Sequence, residues 1–307
     1  MAKKIDKSLS WLTVLIICFL IVFGLSVVWR EIKADTNTPQ VTVGNAASTL
    51  ETITLNSNSA ITVTENTYVT ISGTTTVSDS NGYADIVSAT SVLFLNNTTT
   101  GCFSGDSDPN WCYYISSCAT SSCEGLTCVL TCSADVWFIA EPSDASSSYA
   151  DYAWQMDITV LDSGSNATTA TTSQELNTAA YLDFSTSTDY STVNPGATSS
   201  NVTTNATNTG NYHIDIQFSG VDMQTGGATA SIDVGQQKYS SSTIGDWTTE
   251  GVALSVTPTT YDLTLPKPTA TTSNSIDDVY WVISIPTSTS PGIYTGTNTV
   301  DAIWASS

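Results

Sequence analysis

Basic side chains all but vanish after position 33. Lys3, Lys4, Lys7, Arg30 and Lys33 fall before that point, leaving Lys238 and Lys267 for the rest of a 307-residue chain. With Asp6 and Glu31 set aside, residues 34–307 carry 26 acids against those two lysines, a net charge near −24. No basic patch remains to neutralise phosphates, which excludes a nucleic-acid binder. Histidine is scarcer still, His213 standing alone. General acid–base chemistry near neutral pH most often uses that side chain. With so little to build catalysis from, the chain reads as not an enzyme. C-x2-C spacing is absent, and with it the signature of zinc fingers and ribbons. No amphipathic helical period appears, which argues against an α/β fold. What is present is apolar and aromatic: 40% hydrophobic residues, with 8 Trp and 13 Tyr. That is enough to bury, so a disordered chain is also excluded. The length allows roughly two domains.

The amino terminus points to a membrane. Ser8–Trp29 runs 22 residues without a charge, behind a flank bearing Lys3, Lys4 and Lys7. At about 1.5 Å per helical residue, that run reaches roughly 30 Å, the thickness of a bilayer's hydrocarbon core. Trp11 and Trp29 stand near its two ends, where indoles prefer the interface. The basic flank predicts the amino end inside and the bulk outside. A secretory signal has a shorter apolar stretch and a small-x-small cleavage site, and Ile32-Lys33-Ala34 matches that poorly. Residues 1–33 therefore read as a cytoplasmic tip and single-pass anchor. The alternative is a cleaved signal peptide and a secreted product.

Six of the seven cysteines, Cys102, Cys112, Cys118, Cys123, Cys128 and Cys132, fall in one 31-residue window. In an exported chain an even, clustered set reads as three disulfides, with the pairing left open. Cys18 lies inside the apolar run and reads as a filler.

Beyond the anchor, residues 34–45 form a polar linker. Strand periodicity follows. Val69, Ile71, Gly73, Thr75 and Val77 share one face. Cys128, Leu130, Cys132, Ala134, Val136 and Phe138 share another, as do Trp154, Met156, Ile158 and Val160. Alternation with one apolar face marks half-buried strands of antiparallel sheets. Turn signals at Ser80-Asn81-Gly82, Asp108-Pro109-Asn110 and Asp162-Ser163-Gly164 separate them. The expected architecture is all-β: two tandem antiparallel β-sandwiches at 46–165 and 174–307, joined by a Thr-rich linker at 166–173. The first carries a disulfide-rich insertion at about 96–132. In the second, Ile214, Ile216 and Phe218 point inward, while His213, Asp215 and Gln217 point outward. Trp281 reads as a core anchor.

Two stretches carry a resemblance. Residues 193–211 read VNPGATSSNVTTNATNTGN, and the chain closes with PGIYTGTNTVDAIWA. The order of PG, an alternating strand and NTGN resembles Ig-like modules of the NEW3/CARDB kind, found in secreted and surface proteins of bacteria and archaea. VSDSNGYADI and WFIAEPSDA resemble anchored surface proteins of uncultured microbes. The resemblance implies Ig-like sandwiches and a cell-surface role, and no catalytic residues.

Two candidate sites follow from the residues. In Asp79-Ser80-Asn81-Gly82-Tyr83-Ala84-Asp85, the residues Asp79, Asn81 and Asp85 place oxygens at alternate positions of a tight turn, a donor set suited to calcium. Asp106, Asp108, Glu141 and Asp144 are further acids in nearby turns. The plainer reading is an Asn-Gly turn with solvated acids. Trp111, Tyr113 and Tyr114 lie inside the cysteine-rich span. They form either an exposed platform for a glycan or protein partner, or a small core around the disulfides. The functional expectation is a membrane-anchored surface protein, structural or adhesive, presenting Ig-like modules to a partner or matrix. The alternative is a carbohydrate-binding module or accessory subunit of an envelope enzyme.

Overall fold

The chain enters on an apolar helix and then turns wholly to strands. The computed structural model describes residues 7–28, 36–97, 102 and 107–305. The uncharged amino-terminal run forms α1 (Lys7–Val28). Its described side chains, residues 11–23, are all exposed. That stretch spans about 20 Å at 1.5 Å per residue. Among the described residues, no helix is long and apolar enough to cross a membrane. Trp29, Arg30 and Lys33, expected to flank the anchor, lie outside the described residues.

The first β half holds nine strands: β1 (Thr49–Leu50), β2 (Thr54–Leu55), β3 (Tyr68–Ser78), β4 (Ile86–Leu95), β5 (Cys112–Ile115), β6 (Ala119–Glu124), β7 (Thr127–Trp137), β8 (Trp154–Asp162) and β9 (Ala167–Gln174). They make two antiparallel sheets. One runs β1-β3-β7-β6 with β2 also on β3, and the other runs β5-β4-β8-β9. The period-two pattern sets the register: Ile71 lies opposite Ala134 and Val77 opposite Cys128. Both inner faces meet in one core. Ile71, Val77, Leu130, Cys132 and Val136 come from the first sheet, and Leu93, Trp154, Met156, Ile158 and Val160 from the second. Each such large side chain stabilises the fold by roughly 1.5–3 kcal/mol on burial. Across the outer face, hydroxyls pair instead. Ser72 and Ser133 meet at 2.8 Å, and Thr159 and Thr169 at 2.9 Å.

The second half adds β10 (Leu182–Phe184), β11 (Val202–Asn208), β12 (Ile214–Gly220), β13 (Met223–Thr225), β14 (Ser231–Ile232), β15 (Gln237–Ser240), β16 (Val252–Ala253), β17 (Thr259–Leu265), β18 (Ser275–Ile283), β19 (Tyr294–Thr295) and β20 (Asn298–Trp304). Sheets β10-β11-β18-β15-β16 and β17-β12-β20 share a second core, and β14-β13-β19 forms a small third sheet. Phe218, Tyr239 and Trp281 pack ring against ring at its centre. Trp281 Nε1 donates to Thr204 Oγ1 at 2.9 Å, so its one polar atom is satisfied.

Four expectations are corrected. The expected linker at 166–173 is strand β9, paired along its whole length with β8. β-branched threonines suit a strand, and backbone hydrogen bonds need no apolar face. The second half does not begin at 174, because Leu176 and Ala179 belong to the first core. The span 96–132 is no appendage, since β5 pairs with β4 while β6 and β7 extend the other sheet. Asp215 does not face outward. A register shift between Ile214 and Ile216 buries it, and its Oδ1 accepts from the Thr264 N–H at 2.9 Å. His213 precedes β12 rather than lying on it, and its ring stacks on Tyr212.

The two halves join without a free linker, and residues Asn45–Ser307 form one compact unit. The Asn208-Thr209-Gly210-Asn211 turn is the joint. Asn208, Thr209 and Asn211 are buried polar residues, and hydrogen bonds satisfy each. Asn211 Oδ1 accepts from Ala179 N–H at 2.7 Å, and its Nδ2 donates to the Asn177 carbonyl at 3.0 Å. Thr209 Oγ1 donates to Glu65 Oε1 at 2.8 Å. Asn208 Nδ2 donates to the Tyr212 and Pro266 carbonyls at 2.7 and 3.1 Å.

Candidate functional site

Strand ends position the acidic site. β3 stops at Ser78, and Gly82, with φ of 107°, bends the chain back towards β4. Only glycine adopts that backbone without strain. The turn is closed by the Gly82 N–H donating to the Asp79 carbonyl at 3.1 Å and by the Asn81 N–H donating to Asp79 Oδ1 at 2.7 Å. Asp85 ends the turn, and β4 pairs with β8, so the β8–β9 turn at Asp162 lies beside it. The Ser163 N–H donates to the Asp85 carbonyl at 2.9 Å, and the Ser163 hydroxyl donates to Asp85 Oδ1.

Asp79, Asp85 and Asp162 thus converge, each offering one oxygen, all within 4.8 Å of one another. Asp79 and Asp162 are each only 2% exposed. At an effective dielectric of 20, two unit charges at such a distance repel by roughly 3 kcal/mol. Both lysines of the β unit are committed elsewhere: Lys238 to the Trp247 and Glu250 carbonyls, Lys267 to Glu141. Two oxygens in the cluster, Asp79 Oδ2 and Asp85 Oδ2, are buried without a hydrogen-bond partner. Asp162 differs. Burial pushes its carboxyl up, but hydrogen bonds from Asn166, the Gly164 N–H and Asn45 outweigh that and hold it below the ordinary range.

Of the three residues expected to bind calcium, Asp79 and Asp85 are brought together. Asn81 turns away, its Oδ1 accepting from the Ala46 N–H at 2.7 Å. Asp162 was missed. Its only signal was a turn motif, and sequence spacing does not reveal that two turns are neighbours. The other acids serve their own loops. Asp108 Oδ1 accepts from the Asn110 N–H, and Asp144 accepts from the Thr178 N–H and hydroxyl, both at 2.6 Å. Glu141 pairs with Lys267. Asp106 lies outside the described residues.

The aromatics form packing rather than a platform. Tyr113, on β5, is buried. Its hydroxyl donates to the Pro109 carbonyl at 2.7 Å and accepts from the Trp137 N–H at 2.9 Å. Burial raises its phenol pKa well above the usual value. Trp111 is half-buried and sets its ring edge-on to Tyr149. Tyr114 packs on the small cluster of Val92, Phe94, Cys102 and Cys112. All six clustered cysteines are paired: Cys102 with Cys112, Cys118 with Cys132, and Cys123 with Cys128.

No protein-family model matches the chain, and neither does any curated protein. Among solved structures, it is similar to the secreted serine protease VesC from Vibrio cholerae at 12% identity and a TM-score of 0.20. That match covers 80% of this chain and 49% of the protease, so the chain spans about half the length of that protein.

Proposed function

We propose that this is a non-enzymatic surface protein. α1 holds it in a membrane by a single pass, and the acidic β unit projects into an oxidising exterior. There, two Ig-like sandwiches present a structured surface to a protein partner or a matrix. The pairing of all six clustered cysteines carries this reading, because structural disulfides persist mainly outside the reducing cytosol. α1 supports it. Its apolar side chains from Trp11 to Phe23 are exposed, and lipid is the solvent such a helix fits. The sandwich reading rests on antiparallel sheets closing on a shared core in each half. The groups that would do chemistry are occupied: His213 is stacked on Tyr212, and both lysines donate to carbonyls. A glycan platform would need Tyr113 open, and it is buried, which favours contact with protein or matrix over sugar.

The test is proteinase K added to intact cells expressing the full chain with a carboxy-terminal tag. The expected result is loss of the tag, with the chain retained in carbonate-washed membranes. Peptide mapping without reductant should give the three pairs named above. A tag that survives on intact cells, or six free thiols, overturns the proposal.

A further inference from the structure

The acidic cluster goes beyond the surface reading and stands independently of it. Asp79 is 2% exposed, yet its Oδ2 has no hydrogen-bond partner. A buried carboxylate oxygen left so is costly unless something positive meets it. Asp85 Oδ2 is in the same condition, and the ligand atoms of Asp79, Asp85 and Asp162 lie within 4.8 Å of one another. No cationic side chain is available, because the two lysines of the β unit are hydrogen-bonded elsewhere. Oxygens on a single calcium ion, at about 2.3–2.6 Å each, stand up to about 5 Å apart. Magnesium, at about 2.0–2.1 Å, needs a tighter set.

We propose that Asp79, Asp85 and Asp162 form a calcium site that fastens three segments at one end of the first half. The first is the turn from β3 to β4, and the second is the β8–β9 turn. The third is the start of the β unit, where Ala46 donates to Asn81 Oδ1 and Asn45 donates to Asp162. An ion there turns mutual repulsion among the three acids into shared attraction. Binding would stiffen the point where the polar linker meets the β unit. Water and backbone carbonyls would supply the remaining oxygens of a six- to eight-fold shell.

The experiment uses the full chain in detergent micelles, stripped with EDTA. Calcium is titrated by calorimetry, and thermal melts are recorded in calcium, in magnesium and in EDTA. One calcium per chain is expected, with affinity in the range of about 10⁻⁴–10⁻³ M typical of extracellular sites, or tighter. At tenfold excess over Kd, Tm should rise by about 3–5 °C. Asp79→Asn and Asp85→Asn should each weaken binding at least about tenfold, the loss of one charged ligand. In EDTA, Asp79→Asn should melt no lower than the natural chain. Asp85 is only half-buried, so Asp85→Asn carries the test if Asp79→Asn does not fold. Absence of heat and of any Tm shift at millimolar calcium overturns the site. So does full affinity in either variant, or an equal response to magnesium.

Discussion

Lys267 Nζ lies 2.9 Å from Glu141 Oε1, and neither side chain is more than 17% exposed. Glu141 follows β7 in the first half, and Lys267 follows β17 in the second. The same ammonium donates to Asn110 Oδ1 at 3.1 Å and to the Ile139 carbonyl at 2.5 Å. All three of its protons cross the joint. Burial pushes the Glu141 carboxyl up and the Lys267 ammonium down, and each partner offsets part of the other's shift.

Lys267→Met should therefore loosen the joint more than a surface substitution would. Removing one member of a buried pair typically costs about 3–5 kcal/mol, and partial exposure places this pair near the lower end. Adding Glu141→Gln should restore part of the loss, because the stranded charge goes too. Urea unfolding of the two variants checks this. A Lys267→Met chain as stable as the natural one would contradict it.

The Asn208-Thr209-Gly210-Asn211 turn gives a steric prediction. A Cβ on Gly210 would run into the Ala179 carbonyl oxygen and crowd the Tyr181 nitrogen. Gly210→Ala should cost about 1–3 kcal/mol, the usual penalty of overpacking. Hydrogen exchange should quicken first at Ala179 and Asn211, whose amides close the joint. Unchanged protection there would mean the turn can yield.

Tyr239 is fully buried, and its hydroxyl has no partner. Tyr239→Phe should leave stability unchanged or raise it by roughly 1 kcal/mol, since an unsatisfied buried hydroxyl is removed. The pH dependence adds a second readout. Burial first, and then Tyr261, push the Tyr239 phenol up from 10.0 to about 12. Between those values the folded chain holds a proton that the unfolded chain has released, so stability falls as pH rises through that window. The fall should be shallower in Tyr239→Phe. Urea midpoints across the alkaline range measure it, and identical slopes would refute the assignment.

Much of the first half was legible because its strands obey period two. Cys128 to Phe138 and Trp154 to Val160 have one apolar face each, and those faces are the core. β9 was not legible. Its sequence, ATTATTSQ, has no apolar face, and it is held by main-chain pairing to β8, which hydropathy does not register. The joint was hidden for a related reason. Asn208, Thr209 and Asn211 look like surface residues, yet hydrogen bonds make their burial affordable. At the acidic site, local spacing placed Asp79 and Asp85 in one turn. Asp162 reaches them only through the pairing of β4 with β8, and Asn81 is drawn off by Ala46, a partner no turn motif predicts.

The scarcity of lysine and its folded state together bear on survival in digestive surroundings. Trypsin-like hydrolases cut after lysine or arginine, and from residue 34 onward this chain offers them only Lys238 and Lys267. One is gripped by the carbonyls of Trp247 and Glu250, the other by Glu141, Asn110 and Ile139. To such an enzyme the whole acidic body is nearly featureless, and its two cleavable bonds come within reach only after the strands around them have opened.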